Sequence, residues 1–495
     1  MESLGSAASA VSSAWLFSTW LFPAWLFSDI RRQNNGSGGP RGPASVVPMP
    51  TTSRTPRDLP PTAPPALKAR LVSGLRGIAL DTRPLAHPVF RRLMIGQGAA
   101  YIGTMVTSVT IPIQVYALTR SSLVVGLTGL AGLVPLVVFG LYGGAIADRF
   151  DRRTLYLASA CLTWAITLAL LFQALADLRS VPLILGLVAV QAGAFAVSSA
   201  ARGAIIPRIV PTPLVPAANT LYFTAGNVGQ VAGPLVAGLL ISLPNGYCWA
   251  YGTDAVLFSV LLYSAVGLPP ILPAGSGARI GGLRSVFDGL RFIAAAPVLW
   301  MSFAVDIAAM TMALPTALFP EAAQLRFGGG AGLLYSAIAI GSVAAGLFSG
   351  WIGRVRRQGR ALAIAVTTWA AAIALAGTVH HLLAAAALLA AAGAADLVSA
   401  VYRETILQTY APDAMRGRLQ GVFTVVVAGG PRLGDLRAGA MASATGLGVA
   451  WTGSSLLCMV VVMAGALLVR PFWRYTVTLA QPPSAPTRPE AAHQP

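Results

Sequence analysis

The sequence predicts an all-α membrane protein with twelve transmembrane helices arranged in two six-helix halves. Of its 495 residues, 55% are hydrophobic and 10% are charged, whereas an ordinary soluble domain carries about 25% charged residues. Uncharged apolar runs recur along most of the chain, and a run of about 20 residues can cross the hydrocarbon core as a helix. Arginines collect in the short segments between these runs. Together these features predict a chain that crosses the bilayer many times.

The apolar runs divide the chain into spans, a linker and two ends. Residues 1–88 and 471–495 are rich in Pro, Ser and Arg and are predicted to be disordered. A more polar segment, 269–297, separates an N-terminal half (89–268) from a C-terminal half (298–470). The predicted spans lie near 93–118, 122–147, 154–176, 181–206, 215–242, 248–268, 298–320, 330–352, 361–379, 382–403, 418–441 and 446–469.

The distribution of arginine predicts the orientation in the membrane. Short cytoplasmic loops are enriched in Lys and Arg. One set of alternate loops holds only Arg120, Arg179 and Arg326. The other set holds Arg149, Arg152, Arg153, Arg208, Arg279, Arg284, Arg291, Arg354, Arg356, Arg357, Arg360, Arg403, Arg416 and Arg418. We therefore expect both termini to be cytoplasmic, in a multi-pass protein of the plasma or inner membrane.

The central linker contains an amphipathic pattern. Leu283, Val286, Phe287, Leu290 and Ile293 share one helical stripe, and the charged residues Arg284, Asp288 and Arg291 take the other face. Such a helix can lie on the inner membrane surface. The alternative is a linker helix without membrane contact.

Several function classes are excluded or disfavoured. The net charge of +18 sits in short loops beside apolar runs, which indicates membrane orientation rather than nucleic-acid binding. The only lysine, Lys68, follows Leu67, so no Gly-Lys phosphate loop and hence no ATP-driven pump is encoded. Neither a His-Glu-x-x-His nor a Gly-x-Ser-x-Gly motif occurs. Three scattered cysteines predict no disulfide framework, and we expect no enzyme activity, cofactor or metal.

A densely charged segment, "GGAIADRFDRR", joins the second and third spans. Its Gly144, Asp148, Arg149, Arg152 and Arg153 resemble the loop signature of the major facilitator superfamily. The resemblance implies a gate on the cytoplasmic side, in which Asp148 forms ion pairs that break when the two halves rock apart. Asp151 stands where the superfamily pattern prefers a second glycine. In the alternative reading, the arginines only enforce topology.

The fifth span carries "GNVGQVAGPLVAGLLI". Its Gly229, Gly233, Pro234 and Gly238 resemble the Gly-Pro motif of drug–proton antiporters within the same superfamily. The resemblance favours export, and the alternative is tight helix packing by small residues.

Three further phrases resemble the enterobactin-exporter branch, the transmembrane secretion effectors. They are "SSAARGAIIPRIVP", "DLVSAVYRETILQTYAPDAMRGRLQGVF" and "GGPRLGDLRAG". The resemblance covers about residues 88–470 and implies proton-driven export of a siderophore-like or drug-like small molecule. We expect the protein to act as a monomer in the lipid bilayer, with that small molecule and protons as its partners. An importer or another small-metabolite carrier is the alternative.

Ionisable residues inside spans are costly, at roughly 2.5–3.5 kcal/mol on insertion scales, and so indicate function. Asp306, Asp396 and Asp435 are the candidates for proton coupling, and Arg403, Arg432 and Arg437 are their candidate charge partners. Arg403 follows Asp396 by about two helical turns, and Arg432 and Asp435 can pair at i and i+3. Structural pairing between helices is the alternative. Asp254 is predicted to be a helix N-cap.

Family resemblance also implies which spans line a substrate cavity. Spans one, four, seven and ten would line it, and they offer Gln97, Tyr101, Gln114, Gln191, Arg202 and Trp300.

Overall fold

The computed structural model describes residues 81–149, 151–269, 283–410 and 413–476. Within these ranges every regular element is helical, and ten helices are long and apolar enough to cross a membrane. The prediction of an all-α, multi-span membrane protein is therefore confirmed. The N-terminal prediction for residues 1–80 lies outside the described residues.

The helices are labelled in chain order. They are α1 (Pro88–Thr119), α2 (Ser122–Arg149), α3 (Arg152–Leu175), α4 (Val181–Ile209), α5 (Val215–Ile241), α6 (Gly246–Val266), α7 (Leu283–Ala295), α8 (Pro297–Ala308), α9 (Phe319–Leu325), α10 (Ala331–Leu347), α11 (Gln358–Ala376), α12 (Leu382–Tyr410), α13 (Asp413–Thr445), α14 (Ser454–Leu468) and α15 (Arg470–Trp473).

Two of the twelve predicted spans differ from the ten apolar helices. The predicted eighth span corresponds to α10, which has only 17 residues. The predicted eleventh span corresponds to α13, a 33-residue helix that is long enough to span but carries several charges along its length. The linker helix α7 forms at the predicted position and packs against α13.

The predicted seventh span is broken in the middle. Helix α8 is followed by a π-helical turn at Ala309–Ala313, a short 3-10 helix at Thr316–Leu318, and then α9. The break falls at Pro315, which has no backbone N–H to continue the helix and favours an extended conformation in the residue before it. Leu314 adopts that conformation, with φ −70° and ψ 117°.

The first six helices pack mainly on one another. Helix α1 packs against α5 and α6, α2 against α4, and α3 against α4 and α6. Among the later helices, α12 packs against α10 and α11, and α14 packs against α11. Two large contacts join the groups: α2 with α13, and α5 with α10.

Glycines allow the joining helices to approach closely. A Cβ at Gly126 of α2 would lie 2.5 Å from the backbone oxygen of Asp435 in α13. A Cβ at Gly332 of α10 would lie 2.3 Å from the backbone oxygen of Pro234 in α5. At the same ends of the helices, Arg120 contacts Gln324, and Ser122 donates a hydrogen bond to Glu321.

Both segments predicted to be disordered, 1–88 and 471–495, extend too far toward the middle of the chain. At the N-terminal side, Arg83–Ala86 form a short 3-10 helix and α1 begins at Pro88. At the other end, α15 extends beyond residue 470, and Phe472 is fully buried in the main hydrophobic core. The burial of Phe472 in this core anchors the last described segment.

Candidate functional site

A cavity lies among α1, α2, α3, α4 and α6, and one residue of α13 reaches into it. The centre of a water molecule can occupy about 100 Å³ of it. Its lining is mostly apolar and aromatic, with a few polar groups. The lining residues are Gln97, Ala100, Tyr101, Thr104, Met105, Thr128, Gly132, Tyr156, Thr163, Val188, Gln191, Ala192, Phe195, Ser198, Arg202, Phe258, Leu261 and Arg432. An apolar pocket with a few convergent polar groups is the usual form of a small-molecule site.

A hydrogen-bond network fixes the polar side chains at one wall of the cavity. The Tyr156 hydroxyl donates to Gln97 Oε1 at 2.6 Å, and Gln97 Nε2 donates to the Tyr222 hydroxyl at 3.3 Å. The Arg202 guanidinium carbon lies 4.9 Å from the centre of the Tyr222 ring, within cation–π distance. Arg202 Nη2 also donates to Ser199 Oγ at 3.3 Å. These contacts hold Arg202 in one orientation.

Arg432 enters the cavity from the other group of helices. Its side chain is buried, and Gly132 of α2 leaves the room it needs, since a Cβ there would lie 2.5 Å from Arg432 Nη1. Arg432 Nε and Nη1 have no hydrogen-bond partner among the described residues, and neither has Arg202 Nε. The cavity therefore contains two buried cations with unused donors.

Four of the six predicted lining residues surround this cavity: Gln97, Tyr101, Gln191 and Arg202. Gln114 and Trp300 do not line it, which corrects the prediction from family resemblance. Gln114 is buried in a separate network with Gln173 and Tyr251. Trp300 lies on α8 and is 50% exposed.

A second set of buried charges lies between α8 and α12. Arg403 forms an ion pair with Asp306, and Arg403 Nη2 lies 4.0 Å from Asp396 Oδ1. The side chains of Asp306, Arg403 and Asp396 are 3%, 6% and 18% exposed. The charge of Glu404 also acts on Arg403. Sequence spacing gave Asp396 as the carboxylate nearest Arg403, whereas the closer partner is Asp306 on another helix.

The charges of α13 take separate positions. Arg432 faces the cavity, while Asp435 is fully buried and accepts a hydrogen bond from Thr316 Oγ1 at 2.7 Å. The charge of Asp435 nevertheless acts on both Arg432 and Arg437. Arg437 Nε donates to the Thr311 backbone oxygen at 2.8 Å. This bond satisfies a carbonyl in the π-helical turn of the broken seventh span.

Asp254 is not a helix N-cap, and its position is a further correction. Helix α6 begins at Gly246, so Asp254 lies well inside the helix and is 1% exposed. Its Oδ2 accepts hydrogen bonds from Thr107 at 2.6 Å and from Thr167 at 3.2 Å. It packs closely on Gly103 of α1, where a Cβ would lie 2.4 Å from Asp254 Oδ1. Sequence reasoning missed this buried carboxylate because its partners, Thr107 and Thr167, lie on other helices, α1 and α3.

The charged segment forms the turn between α2 and α3. Gly144, Asp148 and Arg149 fall in the last turns of α2, in a stretch whose side chains lie outside the described part of the structure. Asp151 caps α3 by accepting from the backbone N–H groups of Arg153 and Thr154. The residue that departs from the superfamily pattern is therefore a helix N-cap.

Arg153 of the same charged segment reaches the end of α6, where its Nη2 donates to the backbone oxygen of Val266 at 2.9 Å. This bond ties the start of α3 to the last turn of α6. Arg152, the first residue of α3, is partly exposed.

The Gly-Pro motif of α5 faces two other helices. A Cβ at Gly229 would lie 2.4 Å from Tyr101 Cδ1, and one at Gly233 would lie 2.2 Å from Met105 Cβ. These two glycines thus allow α1, which carries part of the cavity wall, to pack closely against α5. Pro234 and Gly238 face Gly332 of α10 instead. The motif joins helices from both groups.

Comparisons with known proteins agree on the type of molecule. The profile of the family described as "Transmembrane secretion effector" matches residues 80–487. The chain is 29% identical over 392 residues to the enterobactin exporter EntS of Shigella boydii serotype 4 (strain Sb227), covering 76% of this chain and 92% of that protein. It is 29% identical over 397 residues to EntS of Escherichia coli O139:H28 (strain E24377A / ETEC), with the same coverage.

Solved structures show the fold. The nucleoside transporter NupG aligns with a TM-score of 0.62 at 14% identity and covers 78% of this chain and 99% of its own. A bacterial homolog of the human lysosomal transporter Spinster, inward-facing and unoccupied, aligns with a TM-score of 0.55 at 16% identity and covers 79% and 97%. The chain therefore belongs to the transmembrane secretion effector family of the major facilitator superfamily, and it is a membrane transporter rather than an enzyme.

Proposed function

We propose that this chain is a proton-coupled exporter of a siderophore-like or drug-like small molecule. It has twelve spans in two six-helix halves, and both termini are in the cytoplasm. Its relatives are named as exporters of enterobactin, and the family profile describes secretion. The apolar cavity with its convergent polar groups supports a small organic cargo.

Alternating access requires that the halves touch at one membrane face at a time. The described contacts between helices of the two halves support a closed outer face. They include Ser122 with Glu321 and Arg120 with Gln324, which lie at helix ends that the arginine distribution assigns to the outside. On the inner face, the charged segment containing Asp148 acts as the cytoplasmic gate.

The buried cluster of Asp306, Arg403 and Asp396 is the observation that carries the proposal of proton coupling. One arginine lies between two carboxylates, and Glu404 adds further negative charge beside it. An uncompensated charge is expensive to bury, so an excess of carboxylates over cations is balanced when a proton binds. A proton that enters from one face and leaves to the other can then drive cargo in the opposite direction.

Two substitutions test this coupling. Asp306→Asn and Asp396→Asn each remove one proton-binding group and leave the cavity intact. In proteoliposomes, each variant should lose uphill transport driven by a pH gradient and retain downhill exchange. Enterobactin serves as the catecholate probe. Asp177→Asn is the matched control, because Asp177 is an exposed loop residue paired only with its neighbour Arg179 in the described structure.

Full uphill transport by both Asp306→Asn and Asp396→Asn would remove the cluster from the mechanism. Asp435 would then be the remaining candidate carboxylate. Loss of both uphill and downhill transport would mean that the cluster holds the fold or the cargo rather than the coupling proton.

A further inference from the structure

The two arginines of the cavity come from different parts of the protein. Arg202 belongs to α4, in the N-terminal helices, and Arg432 belongs to α13, in the C-terminal helices. They are 6% and 4% exposed. Both line the same cavity. Two buried guanidinium groups that face one cavity produce a positive potential there.

Neither arginine is neutralised within the cavity. None of the described side chains that line it is acidic. Arg202 Nη2 donates to Ser199 and the guanidinium face lies over Tyr222, but Arg202 Nε has no acceptor among the described residues. Arg432 has two such nitrogens, Nε and Nη1, and the nearby charge of Asp435 acts on it from outside the lining. Buried donors are normally paired, so these three N–H groups indicate acceptors supplied by a ligand.

The rest of the lining indicates the chemistry of the remainder of that ligand. Phe195, Phe258, Tyr101 and Tyr156 provide aromatic surface. A ring can stack against such side chains, while a carboxylate or phenolate oxygen takes the unused arginine donors.

We propose that this cavity binds an aromatic organic anion whose acidic group contacts both Arg202 and Arg432. The proposal rests on the transport function proposed above and specifies that the cargo is an anion. Because each arginine belongs to a different half, the anion links the two halves when it binds. Release is then coupled to the separation of α4 from α13.

Binding of salicylate to the purified full-length protein in lipid nanodiscs tests the proposal. Salicylamide is the matched neutral probe, with the same ring and hydroxyl group. Salicylate should bind about tenfold or more tightly than salicylamide, because charge-assisted hydrogen bonds are roughly twice as strong as neutral ones. Equal affinity for the two probes, or no saturable salicylate binding in the millimolar range, would overturn the proposal.

Variants assign the effect to the two arginines. Arg202→Gln and Arg432→Gln should each weaken salicylate binding about tenfold or more and weaken salicylamide binding less, because the neutral probe loses only hydrogen bonds to a neutral acceptor. Arg202→Lys and Arg432→Lys keep the charge and should recover part of the loss. Arg208→Gln is the matched control, since Arg208 is an exposed arginine on the same helix as Arg202. Wild-type salicylate affinity in either Gln variant would contradict the assignment.

The outcome is separable from that of the transport function. Suppose that the pH gradient drives uphill transport of the catecholate probe while salicylate binds no more tightly than salicylamide. In that case the proposed anion site is wrong and the transport mechanism stands. If salicylate binds as expected but no pH gradient drives transport, the site stands and proton coupling is wrong.

Discussion

The contact between α5 and α10 allows a graded test of how the proposed outer face closes. A Cβ added at Gly332 would lie 2.3 Å from the Pro234 oxygen and 2.9 Å from Gly238 Cα. Ordinary contacts of a Cβ begin at 3.4 Å. Because both neighbours are backbone atoms, no side chain can turn away, and Gly332→Ala should force the two helices apart by about 1 Å at this point.

The magnitude follows from the cost of overpacking, which is about 1–3 kcal/mol for an extra methyl group that forces a backbone shift. If that strain exists only while the outer ends touch, the equilibrium should move toward the outward-open state by a factor of about 5–150. At Gly238 the nearest contact of an added Cβ is 3.2 Å, with Gly332 Cα, so Gly238→Ala should shift the equilibrium less. At Gly186 no atom lies within 4 Å, and Gly186→Ala is the matched control.

Spin labels at Ser242 and Leu325 measure the effect. Both residues are exposed at helix ends that we propose to be on the outer side, one after α5 and the other at the end of α9. Double electron–electron resonance should show more of the long-distance population in Gly332→Ala than in Gly238→Ala, and no change in Gly186→Ala. Identical distance distributions in all three variants would refute the reasoning that this contact closes the outer face.

Three further predictions follow from the charges and the buried carboxylate. Arg357→Cys, in a background without native cysteines, should be labelled by a membrane-impermeant maleimide only from the cytoplasmic side; labelling of intact cells would overturn the topology. Asp148→Asn should leave the protein folded and inserted but slow transport severely, since the gate loses its anion; transport at the wild-type rate would leave the arginines a topological role only. Asp254→Asn should keep the melting temperature of the purified protein close to wild type, because the amide oxygen can still accept from Thr107 and Thr167, whereas Asp254→Leu should lower it by several degrees; equal losses would show that the carboxylate charge itself is required.

The membrane fold was predictable because its signal lies in composition and periodicity. Long apolar runs and clustered arginines depend only on local sequence, and they predict helices without knowledge of their neighbours. The boundaries were less accurate: α1 begins at Pro88 rather than near residue 93, and α12 ends at Tyr410 rather than near residue 403. Asn245 takes the left-handed conformation with φ 53° and lets α6 begin at Gly246. Asp254 lies inside this helix with either start, and it is a buried core residue because Thr107 and Thr167 of neighbouring helices donate hydrogen bonds to it.

The charged cluster was predictable in its members but not in its pairing. Asp306, Asp396 and Arg403 stand out because ionisable residues are rare in spans. Their partners depend on which helix faces which, and this information is not local. The cavity illustrates the same limit. Gln97 and Arg202 were found from their positions in predicted cavity-lining spans, whereas Arg432 lines the cavity only because Gly132 gives it room.

The central claim, proton-coupled export, is tested most directly by the polarity of the pH gradient that drives transport. The wild-type protein is reconstituted in proteoliposomes with the catecholate probe outside, and the lumen is made either acidic or alkaline. An exporter that exchanges cargo for protons should accumulate the probe in the acidic lumen, through the molecules whose cytoplasmic face points outward, and a proton ionophore should abolish the accumulation. Accumulation in the alkaline lumen instead would mean that cargo and protons move together, as in an importer, and would contradict the account.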